Sequence, residues 1–332
     1  MHTQRQHHHA RRTVDPRRAE SIAAAYDFAG DNYIAYADGD STRLFSFEGL
    51  HAYADRRLWS LLDAKLCRLR QSGARSVTIL DAGCGPGTWL RRLVTRAVEL
   101  RFATINARGF DVAEAQIETA RRMAGNLAPL PGVSLKFDVA DLTSPLREAT
   151  GSVDLTLCLY SVLSHLPVAS LPSVASEIAR VSRGHFVTTV RAVGSTPTIF
   201  IDSIDKARNF RLDHSQDRYH IELRNGRSIA LRSHLFTARE LRKAFGRHFE
   251  VEELSGLDIF HSRFLPDRRW NPASVLSDKQ FLDLLAQLEE LYAGDARFIE
   301  RATHLLFVGR RRGSSAVLGA ERRLPKDDNS RR

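Results

Sequence analysis

The chain has 332 residues, 43% hydrophobic and 27% charged, which is enough apolar material for a full core and is typical of globular proteins. Its apolar runs are too short to cross a membrane, and its three cysteines form no CxxC pair, so neither a membrane span nor a disulfide framework is indicated. Most of the net charge of +10 falls in residues 1–20 and 312–332, which are predicted to be disordered basic tails. We therefore expect a cytoplasmic protein with no membrane partner and no nucleic-acid partner.

Two helical segments are predicted in residues 21–72. The first places Tyr26, Tyr33 and Tyr36 at helical spacing, and the second has an apolar face of leucines: Leu58, Leu61, Leu62, Leu66 and Leu69. The tail ahead of them contains His7–His9, which could hold a divalent ion in vitro but does not make a designed site. We predict no metal site.

Residues 73–311 alternate apolar runs with amphipathic segments. Strands are predicted at 76–83, 104–112, 133–142, 152–163 and 185–193, and helices at 88–100, 113–127, 171–181 and 237–245. Alternation of this kind indicates an α/β fold, in which helices cover both faces of a parallel sheet. A later amphipathic helix, 278–294, either packs on the sheet or forms part of a homodimer interface.

The stretch LDAGCGPGTWL, residues 80–90, places Gly83, Gly85 and Gly87 on the turn between the first strand and its helix. Absent Cβ atoms let a ligand lie against the backbone and permit positive φ. The GxGxG spacing matches neither the GxGxxG dinucleotide fingerprint nor a P-loop. Asp81, directly before the turn, would repel a pyrophosphate but could accept a hydrogen bond from a cationic ligand.

Two further carboxylates belong to the same edge. Asp111 ends the second strand, about where a ribose-binding acid is expected, and Asp141 follows the third strand. Three acids and three glycines along adjacent strand ends predict a nucleoside ligand that carries positive charge. S-adenosyl-L-methionine has a sulfonium, an ammonium and a ribose diol, and it fits this description.

The chain is similar to the class I S-adenosylmethionine-dependent methyltransferases. VTILDAGCGPGTWLRRL resembles their motif I, GFDVAEAQIETAR and VADLTSPL resemble the second and third motifs, and VDLTLCLYSVLSHLP resembles the segment at and after strand four. The resemblance covers about 75–193 and resumes at 247–254 and 303–311, which look like the family's last antiparallel pair. It implies a Rossmann-like three-layer sandwich with a seven-stranded, mostly parallel sheet, and methyl transfer from S-adenosyl-L-methionine.

Roles in cofactor binding follow from the resemblance by position. It implies that Asp111 takes the ribose hydroxyls, that Asp141 and the Leu142 backbone meet the adenine, and that the Leu159 carbonyl contacts the ammonium group. The implied cofactor-binding residues are Asp81, Gly83, Cys84, Gly85, Gly87, Asp111, Val112, Asp141, Leu142 and Leu159. The alternative for Asp111 is a strand-end carboxylate, and for Asp141 a helix or turn cap.

Three residues are candidates for catalysis. His165, beyond strand four, is the natural base because imidazole titrates near neutrality, and its alternative is a histidine packed under the loop before Pro167. Tyr160 is either a substrate-facing hydroxyl or an aromatic wall. His214 belongs to DHSQDRYH, a stretch with more titratable groups than a simple turn requires.

Two insertions interrupt the family pattern, at 194–236 and 256–275. The first contains Asn225-Gly226 between alternating runs, which predicts a β-hairpin after strand five that would cover the substrate opening. With the helices of 21–72, which look like a lid over the cofactor, it would roof the pocket.

The second insertion holds the candidate substrate-binding residues His261, Arg263 and Trp270. Arginine beside an aromatic side chain favours a planar or anionic group of a substrate, and the alternative is an arginine-rich surface loop. No [DN]PP[YF] segment, typical of enzymes that methylate nucleic-acid amino groups, follows strand four.

These features favour methyl transfer to a small-molecule acceptor. Two alternatives stay open: an RNA or protein methyltransferase that docks through its basic tails, and a catalytically inert S-adenosylmethionine-binding protein. The sequence does not separate O-, N- and C-methylation.

Overall fold

The computed structural model describes residues 18–19, 21–29, 44–47, 51–125, 127, 130–195, 207–213, 215–261 and 279–313. The helices are α1 (Ile22–Ala29), α2 (Ala52–Gln71), α3 (Thr88–Glu99), α4 (Glu114–Met123), α5 (Leu171–Val181), α6 (Ala238–Phe245) and α7 (Lys279–Tyr292). The strands are β1 (Arg18–Ala19), β2 (Ser76–Ala82), β3 (Thr104–Asp111), β4 (Val133–Val139), β5 (Val153–Cys158), β6 (Ser182–Arg191), β7 (Ala207–Asp213), β8 (Arg218–Leu223), β9 (Ser228–Arg232), β10 (Phe249–Leu257) and β11 (His304–Arg311). Within these residues, no helix combines the length and apolar character that a membrane crossing requires.

A seven-stranded sheet forms the centre of the molecule, with the strand order β10-β11-β6-β5-β2-β3-β4. The pairs β2/β3, β3/β4, β2/β5 and β5/β6 are parallel. Only β11 is reversed, since it runs antiparallel to both β6 and β10. The predicted seven-stranded, mostly parallel sheet with a last antiparallel pair is confirmed.

Helices cover both faces of this sheet, and β2 is therefore buried on each side. Val77 and Ile79 pack toward α2, α3 and α4, whereas Leu80 and Ala82 pack toward α5 and α6. Four of the five leucines predicted on the apolar face of α2 are buried, and Leu69 is partly buried against the same core. The Rossmann-like three-layer arrangement is therefore confirmed, with α2 as a member of one helical layer.

A second, smaller sheet has the order β1-β9-β8-β7 and contains the predicted hairpin. The strands β8 and β9 are joined by four residues, 224–227, of which Gly226 has a φ of 82°. Apolar residues of this sheet pack against α1: Tyr219, Ile221, Leu223, Ile229, Leu231 and Ala25. β1 pairs with β9 in parallel, so the last residues of the predicted tail join a sheet.

The predicted fourth strand, 152–163, is too long. β5 ends at Cys158, Tyr160 and Ser161 then have positive φ values of 51° and 74°, and Val162–His165 form a 3₁₀ turn. A buried turn needs the same short apolar run as a buried strand, so the sequence pattern cannot separate the two. The turn bends the chain over the carboxyl end of the sheet.

The helix α7 packs on the body of the molecule through Leu285, which is 3% exposed, while Leu284 and Leu291 of the same helix are exposed. The homodimer interface proposed for this segment stays a prediction.

Helix α6, which follows the small sheet, begins with a reciprocal cap. Thr237 Oγ1 accepts the Glu240 N–H at 3.1 Å, and Glu240 Oε2 accepts the Thr237 N–H at 2.8 Å. These contacts satisfy two backbone donors that a helix start would leave open.

We expect Thr237→Ala to lower the free energy of unfolding by about 1 kcal/mol, since alanine cannot accept the Glu240 N–H. Thr237→Ser keeps a hydroxyl at the same place and should retain most of the stability. Urea unfolding followed by circular dichroism measures both variants. Equal losses from alanine and serine would show that the hydroxyl does not act as the cap.

Candidate functional site

A cavity of about 360 Å³ lies at the carboxyl edge of the large sheet, within the range of small-molecule pockets. The chain leaves β2 toward β3 and β4 on one side and later returns to β5 and β6 on the other. Ligands of open α/β sheets bind at such a reversal of strand order. The cavity is covered by residues of α1 and the small sheet: Ile22, Tyr26, Tyr219, Ile221 and Leu231.

The structure brings nearly all the predicted cofactor-binding residues to this cavity. Its wall includes Asp81, Gly83, Cys84, Gly85, Asp111, Val112, Asp141, Leu142 and Leu159. Gly87 does not line it and instead caps the start of α3 with a φ of 77°. The candidate catalytic residues Tyr160 and His165 line the same cavity.

The glycine turn needs its missing side chains for protein packing. All three glycines have positive φ, as the sequence indicated. A Cβ on Gly83 would lie 2.3 Å from Val162 Cγ2, and one on Gly87 would lie 2.7 Å from Phe137 Cε1. At these two positions the space is therefore filled by the protein's own side chains, whereas the predicted role was to admit a ligand.

Asp81 is the most unusual carboxylate of the site. It is 2% exposed, and no described residue donates a hydrogen bond to it. Burial, reinforced by the negative charge of Asp111, raises the pKa of Asp81 to about 7. A buried carboxylate without a donor beside a cavity favours a cationic ligand, whose charge would restore the ionised form.

Asp111 is half-buried and hydrogen-bonded. Its two carboxylate oxygens accept N–H groups of Gly85 and Ala113, each at 3.0 Å. Burial raises the pKa of Asp111, and these hydrogen bonds oppose the shift. Asp111 therefore fixes the glycine turn, and it lines the cavity as well.

Asp141 caps a turn: its Oδ1 accepts both the N–H and the hydroxyl of Thr143 at 2.8 Å. It also lines the cavity, so the two interpretations of this residue are compatible.

His165 ties the roof of the cavity to the loop after β5. Its Nδ1 lies 2.7 Å from the Arg232 carbonyl oxygen, which can only accept, so Nδ1 carries the proton. Nε2 lies 3.1 Å from the Tyr26 hydroxyl and accepts a hydrogen bond from it. Burial lowers the pKa of His165 to about 4, which keeps the ring neutral at physiological pH.

Tyr160 belongs to a separate polar group on the other side of β5. Its hydroxyl donates to the buried Asp55 carboxylate, and burial raises the pKa of Tyr160 well above its usual value. Its ring lies 5.8 Å from that of His51 and 5.7 Å from that of His304.

The other site candidates lie elsewhere. His261 does not line the cavity: its ring stacks on Tyr53 at 4.6 Å and its N–H donates to Glu289 at 3.0 Å. Its role in substrate binding stays a prediction. His214, Arg263 and Trp270 lie outside the described residues.

Sequence reasoning missed several residues of the cavity wall. His51, Arg191 and His304 line it, and Asp55 lies against it through Tyr160. The available signal was that Arg191 lies near the end of the predicted strand 185–193 and His304 near the start of the segment 303–311. Their partners come from distant segments, so no local spacing reveals them.

Comparisons with known proteins place residues 79–184 in a family described as a methyltransferase domain. No curated protein sequence matches the chain. Solved structures with a similar course of the chain include a geranyl diphosphate methyltransferase in complex with GPP and sinefungin, at 15% identity, TM-score 0.47, and coverage of 84% of this chain and 86% of that one.

Two others are an S-adenosylmethionine-dependent methyltransferase from Clostridium acetobutylicum and the magnesium protoporphyrin IX methyltransferase of Synechocystis with bound SAM. The first is 9% identical with a TM-score of 0.46, and 76% of this chain and 92% of that chain are covered. The second is 15% identical with a TM-score of 0.41, with 86% and 97% covered. Likenesses this distant carry no inference about a substrate.

We expect Gly83→Ala to destabilise the protein by roughly 2–5 kcal/mol, the sum of backbone strain and the clash with Val162. Adding Val162→Ala should restore part of that loss, which urea unfolding of the two single variants and the double variant measures. Gly226→Ala is the matched control, because its φ is also positive but nothing lies within 4 Å of its Cβ. Strict additivity of the two substitutions would contradict the clash.

A second prediction concerns pH. The pKa of His165 is lowered from 6.5 to about 4 by burial, so the unfolded chain takes up a proton before the folded one does. Stability should therefore fall as pH decreases from 6.5 to 4, by at most about 1.4 kcal/mol per unit for this group. Comparing unfolding free energies of the native chain and His165→Gln isolates this contribution. Identical pH slopes in the two proteins would contradict it.

Proposed function

We propose that the chain, whose residues 79–184 match a family described as a methyltransferase domain, transfers a methyl group from S-adenosyl-L-methionine to a small-molecule acceptor, and that both bind in the cavity at the carboxyl edge of the large sheet. The observation that carries the proposal is Asp81, a buried carboxylate without a described donor on the wall of a roofed cavity. Its environment favours a positively charged ligand over a phosphate-bearing one.

The strand order supports a division of the cavity into two parts. Asp81, Asp111 and Asp141 lie at or beyond the ends of β2, β3 and β4. Arg191 and His304 lie at the ends of β6 and β11, on the other side of β5, and face each other in register. We place the cofactor on the acidic side and the acceptor on the side of Arg191 and His304.

The residues present suit that cofactor. Asp81 offers a carboxylate for its positive charge, Asp111 one for the ribose hydroxyls, and Leu159 a backbone carbonyl for the ammonium group. Asp141 and Leu142 would meet the adenine, as the family resemblance implies. When bound, the cofactor supplies a methyl group on an activated sulfonium, so a correctly positioned lone pair suffices for in-line displacement.

A small acceptor is favoured by the roof. Tyr219, Ile221 and Leu231 of the hairpin and Ile22 and Tyr26 of α1 all line the cavity. Apolar side chains here exclude water and limit the size of the acceptor, whereas a nucleic acid or protein acceptor would need an open groove. An inert cofactor-binding protein remains the second candidate, since methyl transfer by positioning needs few indispensable side chains.

We propose that His165 positions the roof of the cavity, whereas the sequence suggested that it acts as a general base. Both of its ring nitrogens are hydrogen-bonded within the protein, and its pKa of about 4 makes it a weak base at neutral pH. Tyr160, whose hydroxyl donates to Asp55, would form a wall of the acceptor part. Neither residue is needed as a proton acceptor if the substrate's nucleophile ionises by other means.

We expect S-adenosylmethionine to bind the native chain with an affinity that rises from pH 5.5 to pH 7.5, as Asp81 loses its proton through a pKa of about 7. At pH 7.5, Asp81→Asn should bind S-adenosylmethionine roughly 10- to 100-fold more weakly than the native chain, because it loses a charge-assisted hydrogen bond. At pH 5.5 the difference in affinity between the two proteins should be smaller. Isothermal titration calorimetry measures both.

Asp138→Asn is the control for that titration, because Asp138 pairs with Arg108 on β3 and does not line the cavity. It should bind like the native chain at every pH. Folded native protein that binds neither S-adenosylmethionine nor S-adenosylhomocysteine at pH 7.5 would refute the proposed function.

A further inference from the structure

Three potential metal ligands meet at the acceptor side of the cavity. His51, Asp258 and His304 each offer one ligand atom, and these atoms all lie within 4.8 Å of one another. The backbone brings two of them together: Leu257 pairs with His304 in the β10/β11 register, and Asp258 follows Leu257 directly. His51, just before α2, reaches Asp258 with an Nδ1 to Oδ2 distance of 3.4 Å.

An independent observation points to a ligand at this place. His304 is 4% exposed, and its buried Nδ1 has no hydrogen-bond partner among the described residues. A buried polar nitrogen without a partner costs about 1–3 kcal/mol unless something else binds it. A partnerless ring nitrogen in this place is suited to binding a metal ion, because imidazole is a common metal ligand.

A neighbouring cluster serves as a contrast. Asp258, His261 and Glu289 also lie close together. The Glu289 carboxylate, however, already accepts the backbone N–H groups of Ile259, Phe260 and His261 at 2.6 to 3.0 Å. Its oxygens anchor the chain after β10 and leave little capacity for an ion, so this cluster is structural.

We propose that His51, Asp258 and His304 bind one divalent transition-metal ion, and that an open position of this ion takes an oxygen of the methyl acceptor. Two imidazoles and one carboxylate suit zinc and ferrous ions, and three protein ligands leave room for a fourth. Ligand atoms of a tetrahedral ion lie roughly 3.4 Å from one another. The distances between the three ligand atoms, now up to 4.8 Å, therefore need to shorten by ~1.4 Å at most, which side-chain rotation allows.

The open position faces the cavity because His51 and His304 both line it. An oxygen bound there gives up its proton to water near neutral pH, which replaces the base that His165 does not provide. Arg191, which pairs with His304 in the β6/β11 register and lines the cavity, favours an anionic oxygen at the same place. The second half of the inference, an acceptor with an ionisable hydroxyl, rests on the proposed function, and the metal site itself does not.

Zinc binding to the full-length chain is the first test, after metal removal with EDTA. The tail contains His7–His9, so the reference protein carries alanine at these three positions. Calorimetry with zinc chloride should give one equivalent for this protein, and His304→Gln in the same background should bind at least 10-fold more weakly. His185→Gln, which changes a histidine of β6 that pairs with Glu252, should bind like the reference.

The proposed site would be refuted if the reference protein bound no equivalent of zinc, or if His304→Gln bound zinc as tightly as the reference protein. If His304→Gln does not fold, the test is the anomalous diffraction signal of zinc in soaked crystals of the reference protein, in which the three ligands are unaltered. A peak between His51, Asp258 and His304 supports the proposal, and a peak elsewhere or none refutes it.

Titration of the EDTA-treated protein with S-adenosylmethionine separates the two proposals. Cofactor binding without zinc binding would refute the metal site alone. Zinc binding without cofactor binding would refute the proposed function, and with it the role assigned to the open position.

Discussion

The carbonyl oxygen of Phe110 accepts two N–H groups, from Gly83 at 2.8 Å and from Cys84 at 2.9 Å. These hydrogen bonds join the turn after β2 to the end of β3, and they require the positive φ of Gly83. Asp111, the next residue after Phe110, then reaches the N–H of Gly85. The placement of the acidic edge, and hence of any ligand on it, depends on this junction between two neighbouring strands.

The junction also explains the charge state of the site. It holds Asp111 close enough to Asp81 for its charge to raise the pKa of Asp81, whose side chain water hardly reaches. Asp111 has backbone donors that compensate for its burial, and Asp81 has none among the described residues. The polypeptide thus leaves one carboxylate uncompensated, which is a cost to stability unless a cation arrives.

The parts of this architecture that the sequence could predict are those with local signals. The alternating apolar runs, the glycine turn after β2 and the turn at Gly226 are each encoded within about a dozen residues, and each appears in the structure. The end of β5 was misjudged because Leu159 and Leu163 are buried in a turn as fully as they would be in a strand.

Contacts between distant segments could not be predicted from sequence patterns. Asp55 and Tyr160 are 105 residues apart, and His51 and Asp258 are 207 apart. No periodicity connects such pairs, which come together only because α2 packs against the large sheet. The same holds for β1, whose pairing with β9 depends on a hairpin more than 200 residues later in the chain.

His165 has a consequence for the timing of any reaction in the cavity. One imidazole joins α1, the loop after β5 and the last strand of the hairpin through its two nitrogens. If both reactants lie beneath that roof, neither can exchange with solvent until the roof separates from the loop, and the two hydrogen bonds of this ring are among the contacts that must break. Release of the spent cofactor and of the product would then depend on the same opening of the roof.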